Sequence, residues 1–141
     1  MNGTAWNHRR LEANGVSIHF VRHGSGHPLV LLHGWPEFWY VWRKNILTLA
    51  ESFDVVAPDL RGFGDSDKPD DPPEELRGNL VEDLRALVDF LGFERFGAVG
   101  HDVGAYVAQG LPGNTRSVYP ACSSSTVRIR VSEGVGWTRT A

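Results

Sequence analysis

Apolar positions in the first 111 residues follow a strand period and a helix period in turn. Residues 16–21 alternate apolar and polar side chains, which is typical of a half-buried strand. An Asn14-Gly15 pair separates this run from residues 8–13, and because both residue types tolerate positive φ, the pair predicts a β-hairpin. A short continuous apolar run at 28–32 predicts a strand buried on both faces of a parallel sheet, and residues 53–57 and 96–99 are predicted as further strands. The strand at 16–21 buries Val16, Ile18 and Phe20 and exposes Ser17 and His19.

Segments whose apolar residues follow a helical period lie between these strand-like runs. Residues 37–50 and 79–91 carry apolar side chains on one face, and residues 105–111 begin a third helix. The apolar stripe on one face of the first helix is Trp39, Trp42, Ile46, Leu49 and Ala50. The apolar stripe of the second helix is Leu80, Leu84, Leu87, Val88 and Leu91. We assign Trp39 and Trp42 to the core rather than to a substrate pocket. The polar residues 58–67 and the Pro-rich and acidic residues 68–75 are predicted as loop. Strands alternating with helices predict an α/β fold with a mostly parallel sheet.

Composition and charge narrow the class of protein. The chain has 141 residues, 41% hydrophobic content and a net charge of −3, which suits one globular domain. No Lys/Arg block points to nucleic acid or to an anionic membrane surface. The longest apolar run, residues 29–32, is far short of the roughly 20 residues of a membrane span. Residues 1–10 lack an apolar targeting segment, and Cys122 has no disulfide partner, so we expect a cytoplasmic protein.

A glycine-flanked aspartate follows the strand at 96–99. Gly100, His101, Asp102, Val103 and Gly104 form a Gly-x-nucleophile-x-Gly pattern, with Asp where esterases have Ser. The two glycines permit a tight strand-to-helix turn that exposes the middle side chain. An Asp is ionised at neutral pH, with a reference pKa of about 3.9, and needs no base to activate it. Such an Asp can attack an sp³ carbon to form an alkyl ester, whereas acyl transfer suits Ser, so an ordinary esterase is excluded. By itself the pattern also fits a glycine-rich strand-to-helix turn in which Asp102 caps the helix.

A second motif, His33-Gly34-Trp35-Pro36-Glu37, closes the strand at 28–32. With residues 59–66 (DLRGFGDS) and 91–93 (LGF), it resembles the epoxide hydrolase and haloalkane dehalogenase branch of the α/β-hydrolases. The similarity runs in order from residue 11 to residue 111. It implies the α/β-hydrolase fold, a mostly parallel sheet flanked by helices.

The resemblance also implies roles for individual residues. Asp102 is the expected nucleophile, and the backbone N–H groups of Trp35 and Val103 are the expected oxyanion hole. The bond before Pro36 is expected to be cis. Supporting roles in the elbow and the loop are expected for His33, Gly34, Pro36, Gly100, His101 and Gly104, with no proton transfer by His33.

Neither a cofactor nor a metal ion is expected. Asp59, Arg61, Asp65 and Asp67 lack the regular spacing of a calcium loop, and we interpret them as hydrogen-bonding partners that hold their loop in place.

The subclass follows from two details of the motifs. Haloalkane dehalogenases of this branch usually have Trp after the nucleophile, where its N–H binds the halide, and Val103 has no such donor. Trp-Pro-Glu at 35–37 also resembles epoxide hydrolases more closely. A small-molecule epoxide is therefore the favoured substrate. A haloalkane and a non-catalytic pseudo-enzyme on the same scaffold stay as alternatives.

Residues 112–141 show neither period and are rich in Ser, Thr, Arg and Gly. The loss of one base near codon 111 would explain this composition, because it would shift the reading frame of the residues that follow. In the restored frame, the codons of Cys122 and of the three serines after it would encode apolar residues, at the place where the fold needs its sixth strand. We therefore divide the chain into residues 1–111, the N-terminal half of the hydrolase core, and 112–141, an aberrant disordered tail. The fold would then be truncated after the elbow and lack a cap domain. Such a chain would lack turnover, leave the strand at 96–99 as an unpaired edge and be prone to association.

Overall fold

A six-stranded sheet organises residues 5–110 and 127–131, the part of the chain that this computed structural model describes. Three strands run parallel at its centre, and the outer pairs are antiparallel. The spatial order is β1-β2-β4-β3-β5-β6. The strands are β1 (His8–Ala13), β2 (Val16–His23), β3 (His27–Leu32), β4 (Phe53–Pro58), β5 (Gly97–His101) and β6 (Val127–Val131). The predicted parallel sheet with an antiparallel hairpin at one edge is confirmed.

The hairpin between β1 and β2 is built as its turn residues predict. Asn14 has φ of 52° and Gly15 has φ of 76°, so both central positions are left-handed. The register pairs Ala13 with Val16 directly across the turn. The prediction for β2 is wrong in one respect, because Ser17 and His19 are buried as well as its apolar residues. The loop after β4 covers this second face of the strand, and its side chains bond to both polar residues.

Three helices connect the strands as the periodicity predicts. A 3₁₀ turn at Trp39–Trp42 leads into α1 (Arg43–Leu49), α2 spans Pro73–Phe90 and α3 spans Val103–Gly110. Helix α2 begins earlier than predicted, so residues 73–75 are not loop. The reason is local, because Pro73 is tolerated in the first turn of a helix and the carboxylates of Glu74 and Glu75 favour its positive end.

Two apolar clusters cover opposite faces of the sheet, since side chains of successive strand residues point to opposite sides. On one face α2 packs Leu80, Leu84 and Leu87 against the sheet, together with α3. On the other face α1 and the 3₁₀ turn pack Trp39 and Ile46 against it, with Trp42 partly buried beside them. The predicted helix stripes are thus confirmed, and both tryptophans belong to the core. The sheet contributes Phe20, Val30, Leu32 and Val56 to the first face and Val21, Leu31, Val55 and Ala57 to the second.

Strand β6 corrects the prediction of an unpaired sheet edge. It pairs antiparallel with β5, from Gly97 opposite Val131 to His101 opposite Val127. An open strand edge presents unpaired N–H and C=O groups, which any extended segment satisfies. Residues 127–131 form this strand, and the rest of the predicted tail, 112–126 and 132–141, lies outside the described residues, so its disorder stays a prediction. The domain boundary and the tendency to associate stay predictions. None of the helices that the structure describes has the length and apolar content to cross a membrane.

We predict that Leu87→Ala lowers the free energy of unfolding by about 2–5 kcal/mol, because a side chain only 1% exposed leaves a cavity beneath α2. Arg85→Ala on the exposed face of the same helix is the control, and it should change this free energy by no more than about 0.5 kcal/mol. Urea unfolding followed by circular dichroism measures both. Equal effects of the two variants would contradict the described packing.

Candidate active site

Asp102 lies at the turn between β5 and α3, as predicted. Its φ of 51° is in the left-handed region, which is unusual for a residue other than glycine. Its carbonyl oxygen accepts N–H groups of the first turn of α3, from Ala105 at 3.0 Å and Tyr106 at 3.3 Å. The side chain is exposed, and it lies where the N-terminus of α3 favours negative charge.

Two glycines make this turn sterically possible. A Cβ at Gly100 would overlap the carbonyl oxygen of Gly104, and a Cβ at Gly104 would overlap that of Leu32 at the end of β3. The turn is therefore packed against the neighbouring strand with backbone touching backbone. This contact fixes Asp102 relative to the segment that follows β3.

Residues 33–37, which follow β3 and are called the Trp35 segment below, contact Asp102 directly. The backbone N–H of Trp35 donates to Oδ2 of Asp102 at 3.0 Å, across 67 positions of sequence. Gly34 allows the approach, because a Cβ there would lie 2.8 Å from the Cβ of Asp102 and 2.8 Å from Nδ1 of His101. Val103 is the first residue of α3, so its N–H has no acceptor within the helix. Trp35 and Val103 as an oxyanion hole stay a prediction.

Hydrogen bonds within the Trp35 segment also stabilise its conformation. Glu37 accepts the N–H of Gly34 on Oε2 at 3.1 Å, and its own N–H donates to the Gly34 carbonyl at 3.0 Å. The bond between Trp35 and Pro36 is cis, which confirms the prediction. The indole of Trp35 is 67% exposed and leaves the space beside Asp102 accessible.

His33 is fully buried and uses both ring nitrogens in structural hydrogen bonds. Its Nε2 accepts the N–H of Leu60 at 2.9 Å, so that nitrogen carries no proton, and Nδ1 donates to the Gly34 carbonyl at 2.8 Å. Burial lowers the pKa of His33 and outweighs the opposing effects of the Gly34 carbonyl, Asp59 and Glu37. Both ring nitrogens are thus engaged in hydrogen bonds, and the orienting role of His33 without proton transfer stays a prediction.

His101 is turned towards the segment after β3. Its Nδ1 lies 3.7 Å from Oε2 of Glu37, and its ring packs beside Gly34. Sequence reasoning named His101 as a support but did not name its partner. Glu37 contacts both Gly34 and His101, so it links the Trp35 segment to the Asp102 turn.

The loop after β4 is held by Asp59 and Arg61, as the sequence predicted. Oδ1 of Asp59 accepts the N–H of Trp39 at 2.7 Å, and Oδ2 accepts Nδ1–H of His19 at 2.8 Å and the N–H of Asp65 at 2.9 Å. Burial raises the pKa of Asp59, but the bonds from His19, Trp39 and Asp65 outweigh it and hold this pKa below its ordinary value. His19 was missed as a partner, because the pattern of β2 had placed it on an exposed face.

Arg61 ties the same loop to α2 and to the hairpin. Its guanidinium donates to both carboxylate oxygens of Asp83, at 2.7 and 2.9 Å, and a third bond reaches the Asn14 carbonyl at 3.3 Å. The hydrogen bonds that Arg61 donates to Asp83 raise the pKa of Arg61 further above its ordinary value, against the effect of burial. Asp67 completes the loop by accepting the N–H of Ser17 at 2.8 Å.

One set of three residues with metal-binding side chains occurs among residues 5–110. His19, Asp59 and Asp65 offer ligand atoms within 4.8 Å of one another. Both oxygens of Asp59 already accept N–H groups, so these three residues are linked by hydrogen bonds around that carboxylate.

The sheet order, the strand-to-helix turn at Asp102 and the adjacent Trp35 segment define an α/β-hydrolase. A family model described as alpha/beta hydrolase fold matches residues 27–115. The chain belongs to this family.

Two proteins similar to this chain are named epoxide hydrolases. The chain is 50% identical over 101 residues to the soluble epoxide hydrolase of Corynebacterium sp. (strain C12), a match that covers 72% of this chain and 35% of that protein. It is 43% identical over 102 residues to epoxide hydrolase 2 of Siraitia grosvenorii, covering 72% of this chain and 32% of that protein. The chain thus spans about a third of the length of these relatives.

Solved structures agree with this likeness. The ligand-free epoxide hydrolase CorEH superimposes with a TM-score of 0.69 at 49% identity, covering 74% of this chain and 36% of that one. Epoxide hydrolase VrEH1 from Vigna radiata gives a TM-score of 0.69 at 40% identity, with the same two coverages.

The close backbone contact at Gly104 predicts a large effect of one methyl group. Gly104→Ala should lower the free energy of unfolding by about 1–3 kcal/mol, because the added Cβ must displace β3 or α3. Gly78→Ala in the exposed middle of α2 meets no atom within 4 Å and should raise it by about 0.5–1 kcal/mol. Urea unfolding of the two variants should therefore give effects of opposite sign, and a neutral Gly104→Ala would contradict the described turn.

Burial of neutral His33 predicts a pH-dependent stability. Its pKa is lower in the folded chain than the unfolded value of 6.5, so the folded state is favoured above that pH, and this contribution is lost as pH falls below it. The urea midpoint should therefore fall between about pH 7.5 and 5.5. His33→Gln keeps a donor and an acceptor but does not titrate, and it should show a smaller fall. His101→Gln is the control and should keep the original pH dependence; the reverse result would refute the assignment to His33.

Proposed function

We propose that Asp102 is the nucleophile of an epoxide hydrolase-type reaction that proceeds through an alkyl-ester intermediate. The observation that carries this proposal is the 3.0 Å hydrogen bond from the Trp35 N–H to an exposed carboxylate on a left-handed turn. The bond holds Oδ2 and leaves Oδ1 to attack. An ionised carboxylate attacks an epoxide carbon without a base, forming a C–O bond while the ring C–O bond breaks and the ring oxygen takes up a proton.

The same donors serve the second step. Water adds to the carbonyl carbon of the ester, and negative charge develops on the oxygen that the Trp35 N–H already contacts. The N–H of Val103, at the start of α3, is the second proposed donor to this oxygen. Collapse of the tetrahedral intermediate breaks the ester bond, releases the diol and restores the carboxylate.

An epoxide suits this site better than a haloalkane. Val103, directly after the nucleophile, has a hydrocarbon side chain with no donor for a departing halide. Two relatives, similar to the chain over 101 and 102 residues, are named epoxide hydrolases. A small-molecule epoxide is therefore the proposed substrate.

The single Cys122 suits a reducing compartment, and the proposed location of the protein is the cytoplasm.

Turnover needs an acid for the ring oxygen and a base for water, and we assign both to the two thirds of the relatives' length that this chain does not span. His33 has both ring nitrogens engaged, and His101 is turned towards Glu37. The chain by itself should therefore form at most one ester on Asp102 and show no steady-state hydrolysis. The non-catalytic alternative differs in forming no ester at all.

A chimera tests the proposal. Residues 1–110 of this chain are joined to the C-terminal part of the Corynebacterium sp. enzyme that follows its matched region. We expect hydrolysis of styrene oxide, because this chain supplies the nucleophile and its partner supplies the remaining groups. In oxygen-18 water, a single turnover should give a diol without the label and place the label on Asp102, since water attacks the ester carbonyl.

Two substitutions in the chimera separate the nucleophile from a structural aspartate. Asp102→Ala should abolish the reaction, whereas Asp89→Ala, on the exposed surface of α2, should keep the full rate. Circular dichroism confirms that each variant is folded. A rate retained in Asp102→Ala would show that the nucleophile is assigned wrongly, and a chimera that cleaves a haloalkane but no epoxide would overturn the proposed substrate.

A further inference from the structure

Two histidines of the hairpin bring their ring nitrogens together at the edge of the sheet, away from Asp102. His8 on β1 pairs with Val21, and His19 on β2 pairs with Arg10, so the two histidines are diagonal neighbours on one face. Nδ1 of His8 lies 2.9 Å from Nε2 of His19. The strand register fixes the backbone under both rings, which therefore need little ordering to act together.

The far side of His19 decides which of its nitrogens has a lone pair. Nδ1–H of His19 donates to Oδ2 of Asp59 at 2.8 Å, and the Asp59 carboxylate is fully buried. With the proton on Nδ1, Nε2 carries the lone pair and faces His8. A carboxylate that holds the outer N–H of a histidine is the usual partner of a metal-binding imidazole, because it fixes both the tautomer and the ring orientation.

Asp59 itself is not free to bind an ion. Oδ1 accepts the N–H of Trp39, and Oδ2 accepts the N–H of Asp65 in addition to His19. Displacing these donors would leave buried N–H groups without partners, at a substantial cost. The remaining ligand atoms therefore lie between His19, which is buried, and His8, whose side chain is exposed.

We propose that His8 and His19 form a binding site for a divalent transition-metal ion that prefers imidazole nitrogen. With metal–nitrogen bonds of about 2.0–2.1 Å, a separation of 2.9 Å between the ligand atoms corresponds to an angle of about 90°. This angle suits the tetragonal geometry of Cu²⁺ or Ni²⁺ better than the tetrahedral geometry of Zn²⁺. In binding, the proton shared by the two nitrogens is released, and water completes the coordination.

Charges around the pair favour a cation. Asp59, Asp65 and Asp67 all lie in the loop that covers this face of β2. Arg10 donates to the hydroxyl of Ser17 at 3.0 Å and to the Asp65 carbonyl at 2.8 Å, and Lys68 in the same loop donates to the carbonyls of Gly64 and Ser66. The three carboxylates outnumber these two cations.

Copper titration of the purified chain tests the site without any activity measurement. We expect saturable binding of one Cu²⁺ per chain, with an electron paramagnetic resonance spectrum that shows two equatorial imidazole nitrogens. Tryptophan fluorescence should be quenched in the same titration, because the ring of Trp39 lies 5.7 Å from that of His8. Chelation by excess EDTA should reverse both signals.

Single substitutions identify the ligands. His8→Ala removes an exposed side chain, so the chain should stay folded while the two-nitrogen spectrum and the quenching are lost. His19→Gln should lose them too, and circular dichroism checks its fold. His101→Ala also removes one histidine, but on β5, which is separated from the hairpin by β4 and β3, and this variant should bind Cu²⁺ as the original chain does. Absence of saturable binding, a two-nitrogen spectrum that persists in His8→Ala, or its loss in His101→Ala would each overturn the proposal.

Discussion

The buried carboxylate of Asp59 is the contact on which the arrangement of the loops depends. It accepts N–H groups from three separate stretches of chain: His19 in β2, Trp39 after β3 and Asp65 in its own loop. Gly64 makes room for it, since a Cβ there would overlap its oxygens. A buried charge is stable only when its hydrogen bonds are satisfied, so this carboxylate requires all three segments to be in place together.

The segment that carries the Trp35 N–H is anchored at both ends by the loop after β4. At its start the imidazole of His33 accepts the N–H of Leu60, and at its end the N–H of Trp39 reaches Asp59. Neither anchor touches the proposed reacting atoms. They set where the Trp35 N–H points, and a donor contributes to stabilising developing charge only when it is positioned in advance.

The sequence predicted the parts of the fold that depend on neighbouring residues. The Asn14-Gly15 turn, the stripes of the helices and the glycines around Asp102 each leave a local pattern, because one backbone conformation or one face of a helix requires them. Long-range contacts leave no such pattern. Burial of His19, the pairing of Glu37 with His101, and the strand at 127–131 all depend on segments distant in sequence, and each was missed or predicted wrongly.

The 67 positions between Trp35 and Asp102 have a consequence for the order of folding. The β1–β2 hairpin joins residues close in sequence, so its closure costs little chain entropy and is expected early. The hydrogen bond of the site can form only after β5 has docked beside β3, which requires the whole intervening chain to be arranged. A nascent chain that has folded its hairpin thus holds the donor of the site well before it holds the acceptor.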